Sequence, residues 1–458
     1  MFSTYATELA PHSIFGHVDT NALFPEIIHQ LGDNFGKSIP QSTQDNAQMQ
    51  SIYNFFSSTM VKHDYILLSE RDRLKAHFAS ASPMIVLGIQ DTTDLDFTNK
   101  QVAKKLGSLN YANRKGYYAH NHLICDQNGV SLGLFNQTLW NRDPKYFGQN
   151  RASWPLQEKE SVRWLNDFEQ FQSFFEQFPQ HTAIDICDRE ADFYELFEAR
   201  KAANVHLLVR SRQDKILDNE QKLWHTLDNQ EVEDFYSANI YDDSGKKHEI
   251  SFQVKFAPVT IPPNYRATRD QPLNSEPVEL HGILIEQISP LQSWQKTPIK
   301  WRLLTTMPIK TFEQAAQIIQ FYVQRWRIEE FHYVLKQGAK IEQTQFKEPP
   351  TVENAIALYS LLSWKIMNLR YAATEYPQAN IKKLGFNHKH YLVLALFLNK
   401  NRGANLDIEA SCPNVKQFVQ LLKLLATTSK SKKPPGVRAI WIGLAKLTLL
   451  IQAYEAFI

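Results

Sequence analysis

The chain has 458 residues, of which 43% are apolar and 21% charged, which excludes wholesale disorder and suggests two to four folding units. Lys+Arg 50 against Asp+Glu 48 leaves a formal +2, so the total charge offers no polyelectrolyte argument. The total conceals an asymmetry: residues 351–458 carry 14 basic and 5 acidic residues (net +9), whereas residues 1–85 carry 5 and 8 (net −3). Three scattered cysteines, Cys125, Cys187 and Cys412, exclude a disulfide framework or a Cys-rich zinc site and favour a reducing setting. The N-terminal run has no basic region followed by an apolar one, and Lys446 interrupts the longest apolar stretch, so neither a signal peptide nor a membrane span is expected.

In chain order, residues 1–80 read as a small helical module, with helical spacing at Leu23–Leu31 and Ala47–Phe56 broken by Gly36-Lys37-Ser38-Ile39-Pro40. Met84–Ile89 reads as a buried strand running into Gln90-Asp91-Thr92-Thr93. His120–Cys125 and Val130–Phe135 flank Asp126-Gln127-Asn128-Gly129, a hairpin signal. A helix over Gln157–Gln177 and a strand at Thr182–Ile186 follow; the strand ends at Cys187-Asp188-Arg189-Glu190. A helix over Ala191–Ala203 and a strand at His206–Val209 come next. Residues 213–308 alternate and are rich in Pro and Gly, which predicts a β-rich insertion; a long helix from Thr311 to Lys340 succeeds it. Beyond Pro349 the chain reads as helical, broken by a basic loop at 430–436 and closing in an apolar helix, Val437–Phe457.

Asp91 and Asp188 stand where predicted core strands end, the edge at which α/β folds place chemistry. The plain alternative for each is a turn or a helix cap, with about even weight. On a continuous helix, 100° steps put Tyr322, Arg325, Glu329, Tyr333 and Lys336 on one stripe, with Val323, Ile328, Phe331, Val334 and Leu335 on the opposite side. A single Arg325–Glu329 pair would be an ordinary exposed salt bridge. The whole stripe suits a surface gripping phosphates while one carboxylate faces a metal. Three carboxylates suit Mg²⁺ or Mn²⁺, and two such ions would serve an in-line displacement at phosphorus.

The segments Ile89-Gln-Asp-Thr-Thr93, Cys187-Asp-Arg-Glu-Ala-Asp192, Val209-Arg-Ser211, Lys300-Trp301 with Leu303-Leu304-Thr305, and Tyr322-Val-Gln-Arg-Trp-Arg-Ile-Glu-Glu-Phe-His332 followed by Lys336 are shared with a known family. On these the chain resembles bacterial cut-and-paste transposases of the insertion-sequence-four family, the group that includes the Tn-five transposase. The resemblance implies an α/β fold: a ribonuclease-H-like mixed-sheet core with a β-rich insertion, flanked by helical regions. It implies an N-terminal DNA-binding domain at 1–80, a catalytic domain at 81–365 carrying the insertion at 213–308, and a C-terminal dimerisation region at 366–458. Asp91, Asp188 and Glu329 match the catalytic, metal-binding triad, with two Mg²⁺ (or Mn²⁺) per site. Tyr322, Arg325 and Lys336 match phosphate contacts. Trp301 matches the aromatic that stacks on a flipped base, and Arg210 matches a further DNA contact. The implied partners are double-stranded DNA, as inverted-repeat ends and target, and a second copy of the chain, with no membrane; the implied location is the bacterial cytoplasm.

Two features depart from that pattern. The N-terminal module is acidic, which asks Lys37, Lys62, Arg71, Arg73 and Lys75 to gather on one face. Extra acids, Asp94, Asp96, Asp185 and Asp192, compete for the metal assignment. The rival readings are a catalytically inactive DNA-binding regulator and a metal-dependent nuclease without strand transfer. A two-carboxylate glycosidase would leave the basic stripe unexplained.

Overall fold

The computed structural model describes residues 1–111, 113–142, 154–241, 247–263, 276–427 and 434–457. The fold is mixed α/β, with a large mixed sheet and many helices. By packing, the chain divides into two units: a sheet unit of Ser82–Asp91 with Gln149–Trp326, and a helical unit of Met1–Ala81, Thr92–Gly148 and Arg327–Ile458.

The helical unit opens with α1 (Phe2–Leu9), α2 (Val18–Asp33), α3 (Ile39–Ser42), α4 (Asn46–Ser57) and α5 (His63–Ser80). Strand β1 (Ile85–Asp96) contributes its last residues here, followed by the hairpin strands β2 (Gly116–Asp126) and β3 (Ser131–Trp140). The hairpin turn forms as its sequence predicts: Asp126 Oδ1 accepts from the N–H of Asn128 (2.9 Å) and Val130 (3.0 Å), and Gly129 takes φ +80°. The long helix α11 (Pro349–Glu375) is sheathed by α5, β3 and α13 (Val415–Ala426) and buries eighteen of its residues. A buried ion network ties α5 to the hairpin. Glu70, fully buried, takes both guanidinium nitrogens of Arg73 at 2.7 Å and the Tyr5 hydroxyl at 2.8 Å, while Arg73 reaches the Leu132 carbonyl.

That network takes Arg71 and Arg73 out of the expected basic N-terminal face. Arg73 is 8% exposed, and Arg71 lies over the Phe135 ring and donates to Asn136. Both arginines face inward because Glu70 and the hairpin carbonyls offer partners that solvent-side residues do not. The unit closes with α12 (His388–Arg402), α13 (Val415–Ala426) and α14 (Val437–Ala456). Helix α14 is long and apolar enough to cross a membrane by length and composition, where the sequence reading expected no such helix, because Lys446 is too little charge to fail that test. It packs closely on α13: a Cβ on Gly443 would stand 2.4 Å from the Leu422 carbonyl oxygen. Residues 430–433 of the expected basic loop lie outside the described residues.

The sheet unit is built on β1 (through Asp91), β4 (Thr182–Cys187), β5 (Val205–Arg210), β6 (Asp234–Tyr241), β7 (Lys247–Ile261), β8 (Val278–Gln287) and β9 (Lys300–Thr305), in the order β1-β4-β5-β9-β8-β7-β6. The first three strands are parallel and the rest antiparallel, so the β-rich segment extends the sheet through β5 and β9. Helix α6 (Val162–Phe175) is shorter than its expected span. The helix expected over Ala191–Ala203 is reduced to a 3-10 turn at Arg189–Ala191 and α7 (Tyr194–Glu198). The reason is local: Asp192 accepts from the N–H of Arg212 (2.7 Å) and Gln213 (3.2 Å), which turns the backbone out of the helical region. The unit also holds α8 (Leu223–Asp228) and α9 (Phe312–Val323).

Candidate active site

Strand register sets the centre of the sheet unit. β1 and β4 pair in parallel from Ile85↔Thr182 to Ile89↔Ile186, each residue meeting the one 97 positions later. Continued by two residues, that register sets Asp91 beside Asp188. β4 and β5 pair from Ala183↔Val205 to Cys187↔Val209, an offset of 22, which sets Asp188 beside Arg210. Neighbouring strands lie about 4.8 Å apart and partnered residues share a face. On that continuation two carboxylates and a guanidinium fall in a row at the ends of three strands.

Asp91 is not the end of its strand, as the sequence suggested, but the point where β1 passes the last residue paired with β4 and runs on to Asp96. The β-branched Thr92-Thr93 and buried Leu95 keep the backbone extended there. Asp188 does end β4. Its backbone remains extended (φ −82°, ψ −166°) and its Oδ1 accepts from the Glu190 N–H at 2.7 Å, so the capping alternative is realised.

Around this row stand the cationic and aromatic residues of the unit. Arg325 Nη1 lies 3.2 Å from Asp91 Oδ2, with both side chains under a fifth exposed. The Arg210 guanidinium sits 5.7 Å from the centre of the Trp301 ring, and that ring meets Tyr322 edge-on at 5.4 Å. Tyr322 is 4% exposed, not on a solvated stripe; burial pushes its hydroxyl up to about 12 despite the opposing charges of Arg325 and Arg210. Burial also pulls the Arg210 guanidinium below its ordinary value. The structure thus brings together Asp91, Asp188, Arg210, Trp301, Tyr322 and Arg325.

The single long helix expected from Thr311 to Lys340 is interrupted. α9 ends at Val323 and α10 (Trp326–Tyr333) starts anew, while the N–H groups of Gln324 and Arg325 bond carbonyls three residues back at 3.0 Å. This tightened turn breaks the 100° progression. Val323, expected on the packed side, is 45% exposed, whereas Ile328, Phe331, Val334 and Leu335 are fully buried as expected. α10 leads into a π-helical turn at Val334–Gly338, closed by the Ala339 N–H on the Val334 carbonyl at 2.8 Å.

Glu329 and Lys336 belong to the helical unit. Glu329 is half-buried on α10. Lys336 Nζ pairs with Asp94 Oδ1 at 2.9 Å, and Arg114 bridges Asp94 and Asp96 at 3.0 Å each. Burial works to raise the Asp94 carboxyl, but Lys336 and Arg114 outweigh it and hold the group below its ordinary value. The extra acids are thereby accounted for: Asp94 and Asp96 pair with cations, Asp192 holds a loop, and Asp185 is fully buried with Gln90 Nε2 on its Oδ2 at 2.5 Å. Arg114, in an unpatterned loop, escaped the sequence reading; its only signal was a cation close to an acidic strand. Among the described residues no group of three or more His, Cys, Asp or Glu side chains forms a ready metal cluster.

A mixed α/β sheet with an acidic pair and a flanking cation at the edge of its parallel strands defines a class suited to phosphoryl or metal-assisted chemistry. Residues 165–364, under half of the chain, match the family model of the transposase DDE domain, and this match supports a transposase function for an enzyme of the nuclease and transposase kind. Such domains generally use divalent metals. The matched stretch contains Asp188 and Glu329, while Asp91 precedes it. A solved structure, a piggyBac transposase synaptic complex with hairpin DNA determined by cryo-EM, aligns with 99% of this chain and 72% of that one at 8% identity and a TM-score of 0.34.

Proposed function

We propose that the chain is a cut-and-paste DNA transposase of the insertion-sequence-four kind, similar to the Tn-five transposase, with a ribonuclease-H-like core. What supports this reading is the parallel register of β1, β4 and β5, which ends at Ile89↔Ile186 and Cys187↔Val209 and, continued by one or two residues, runs to Asp91, Asp188 and Arg210. Hard, anionic oxygen donors on adjacent strands are what Mg²⁺ or Mn²⁺ takes. In this reading Asp91, Asp188 and Glu329 hold two such ions. When bound, the ions lower the cost of forming the attacking oxyanion and of releasing the leaving oxygen.

The protein's own residues do the rest. Arg325, which pairs with Asp91, would be available to hold a phosphate if a bound ion took over the charge of that carboxylate. The Tyr322 hydroxyl keeps its proton throughout the neutral range and donates it in a hydrogen bond to phosphate. Lys336 and Arg210 supply further positive charge. Trp301 offers a ring face to an unstacked base, worth about 1–3 kcal/mol. One strand of each transposon end is nicked; the freed 3′-hydroxyl attacks the opposite strand to form a hairpin. Water opens the hairpin, and the 3′-ends join target DNA. Positioning and electrostatics account for these steps without a covalent enzyme intermediate. The protein would act as a homodimer in the bacterial cytoplasm, with residues 1–80 binding the ends and 366–458 contributing to dimerisation. The +9 of residues 351–458 would make binding salt-sensitive.

The test is an assay of the purified protein with a duplex carrying the inverted repeats that flank its gene, Mg²⁺ and a supercoiled plasmid. Nicked and hairpin ends followed by joined product support the reading. End binding without cleavage would identify the inactive regulator, and cleavage without joining the plain nuclease.

A further inference from the structure

The motif that carries Glu329 closes on His332, one helical turn later. His332 is 8% exposed, and its Nε2 lies 3.1 Å from Asn121 Nδ2 on β2. The orientation of the Asn121 amide is fixed by its other partners. Its Nδ2 also donates to the Ala119 carbonyl (3.1 Å), which can only accept, and its Oδ1 accepts from Gln137 Nε2 (2.7 Å) on β3. His332 Nε2 is therefore the acceptor in this pair, and the neutral ring carries its proton on Nδ1. The chain of bonds continues. Gln137 Nε2 donates to Ser360 Oγ on α11 at 2.9 Å, and its Oε1 lies 3.1 Å from His63 Nε2 at the start of α5. Asn121, Gln137 and Ser360 are at most 2% exposed.

α10 has eight residues, too few to hold its shape without tertiary contacts. Its other side is clamped to α11, where Glu330 accepts from Arg370 and Tyr371 and the Arg327 guanidinium covers the Tyr371 ring at 3.6 Å. Glu329 lies between these two anchorages. A fully satisfied buried polar chain has one low-energy arrangement, because shifting the helix would orphan several groups at once. We propose that His332 is a positioning residue for Glu329: through Asn121 and Gln137 it fixes the rotation of α10, and so the place of the Glu329 carboxylate. The proposal rests on the reading of Glu329 as a metal-binding carboxylate.

The experiment uses the full chain bound to an end-bearing duplex. It reads Mn²⁺ affinity by electron paramagnetic resonance, cleavage rate against Mg²⁺ concentration, and end affinity without metal. His332→Leu is expected to weaken Mn²⁺ binding and raise the Mg²⁺ requirement by about 10–100-fold, with end affinity within about twofold. His332→Gln, whose Oε1 can accept where Nε2 did, is expected to restore most of the metal affinity. Asn121→Asp keeps the shape but loses the donor, and is expected to behave as His332→Leu; it decides the matter if His332→Leu does not fold. Wild-type metal affinity in either of these two variants, with Glu329→Gln inactive, overturns the proposal alone. Cleavage that survives in Glu329→Gln overturns the reading of the site instead.

Discussion

The two faces of strand β4 carry aspartates three residues apart with opposite fates. Asp185 and Cys187 point to one side, where Asp185 is fully buried, bonded to Gln90 and held near Asp167 of α6. Ile186 and Asp188 point to the other, and there Asp188 is half-exposed. Burial raises the Asp185 carboxyl well above its ordinary value, and the nearby Asp167 adds to that against the opposing bond from Gln90, so it holds its proton to higher pH than an exposed carboxyl does. An acid sealed in the sheet, where burial disfavours its charged form, is poorly placed to serve a cation; an extended, half-exposed one at the strand end can. The period of two along the strand, and not the count of acids in the motif, sorts the proposed metal-binding carboxylate from the sealed one.

The strongest test of that distinction is to remove each carboxylate of the proposed triad. Asp91→Ala, Asp188→Ala and Glu329→Ala should each lower metal-dependent end cleavage by more than about 10³-fold while leaving end binding intact. Retention of cleavage in any one of them removes that residue from the site. Next in size is Trp301→Ala. Its ring is held by Arg210 and Tyr322, and a stacking contribution of about 1–3 kcal/mol predicts a loss of about 10–100-fold. The loss should fall on hairpin formation, with first-strand nicking preserved; an equal fall in both steps would show a packing role instead. Arg325→Ala should act more mildly. It frees Asp91 from a cation at 3.2 Å, so metal affinity measured without DNA should rise by a few-fold. Cleavage should fall because a phosphate contact is lost, and a variant that cleaves as well as the parent would leave Arg325 a purely structural partner of Asp91.

Much of this arrangement was legible in the chain itself. β1, β4 and the Asn128-Gly129 hairpin follow from branching, alternation and turn chemistry, which act within a few residues. Asp91 and Asp188 were visible because apolar strands run straight into them. What escaped depends on distant partners. The break at Gln324-Arg325 interrupts a run with good helical periodicity, and the π-helical turn after α10 sits where Gly338 packs so tightly that a Cβ would stand 2.9 Å from the Phe35 ring. Arg71 and Arg73 read as candidates for a DNA face until Glu70 and the hairpin carbonyls, sixty residues apart in sequence, claim them. The inward turn of Asp192 is of the same kind, fixed by backbone groups of the loop after β5.

The smallest effect expected is also the sharpest on the comparison. Asp185→Asn removes an acid three residues from Asp188, yet should leave cleavage within about twofold, because the side chain lies on the sealed face. Its effect should appear in stability against pH. The folded protein keeps the Asp185 proton at pH values where an unfolded carboxyl, with a pKa near 4, has lost it. The native state therefore binds more protons than the unfolded state above that point, and the group makes stability fall as pH rises. Asparagine has no such proton to lose, and its Oδ1 can still accept from Gln90 Nε2. The midpoint of thermal unfolding should decline less for Asp185→Asn than for the parent between about pH 5 and about pH 8, with the two closest at the acidic end. Parallel curves would mean that Asp185 is ionised in the folded sheet. A variant that folds normally but no longer cleaves would mean that the acid on the sealed face takes part in the chemistry, and the distinction between the two faces of β4 would then fail.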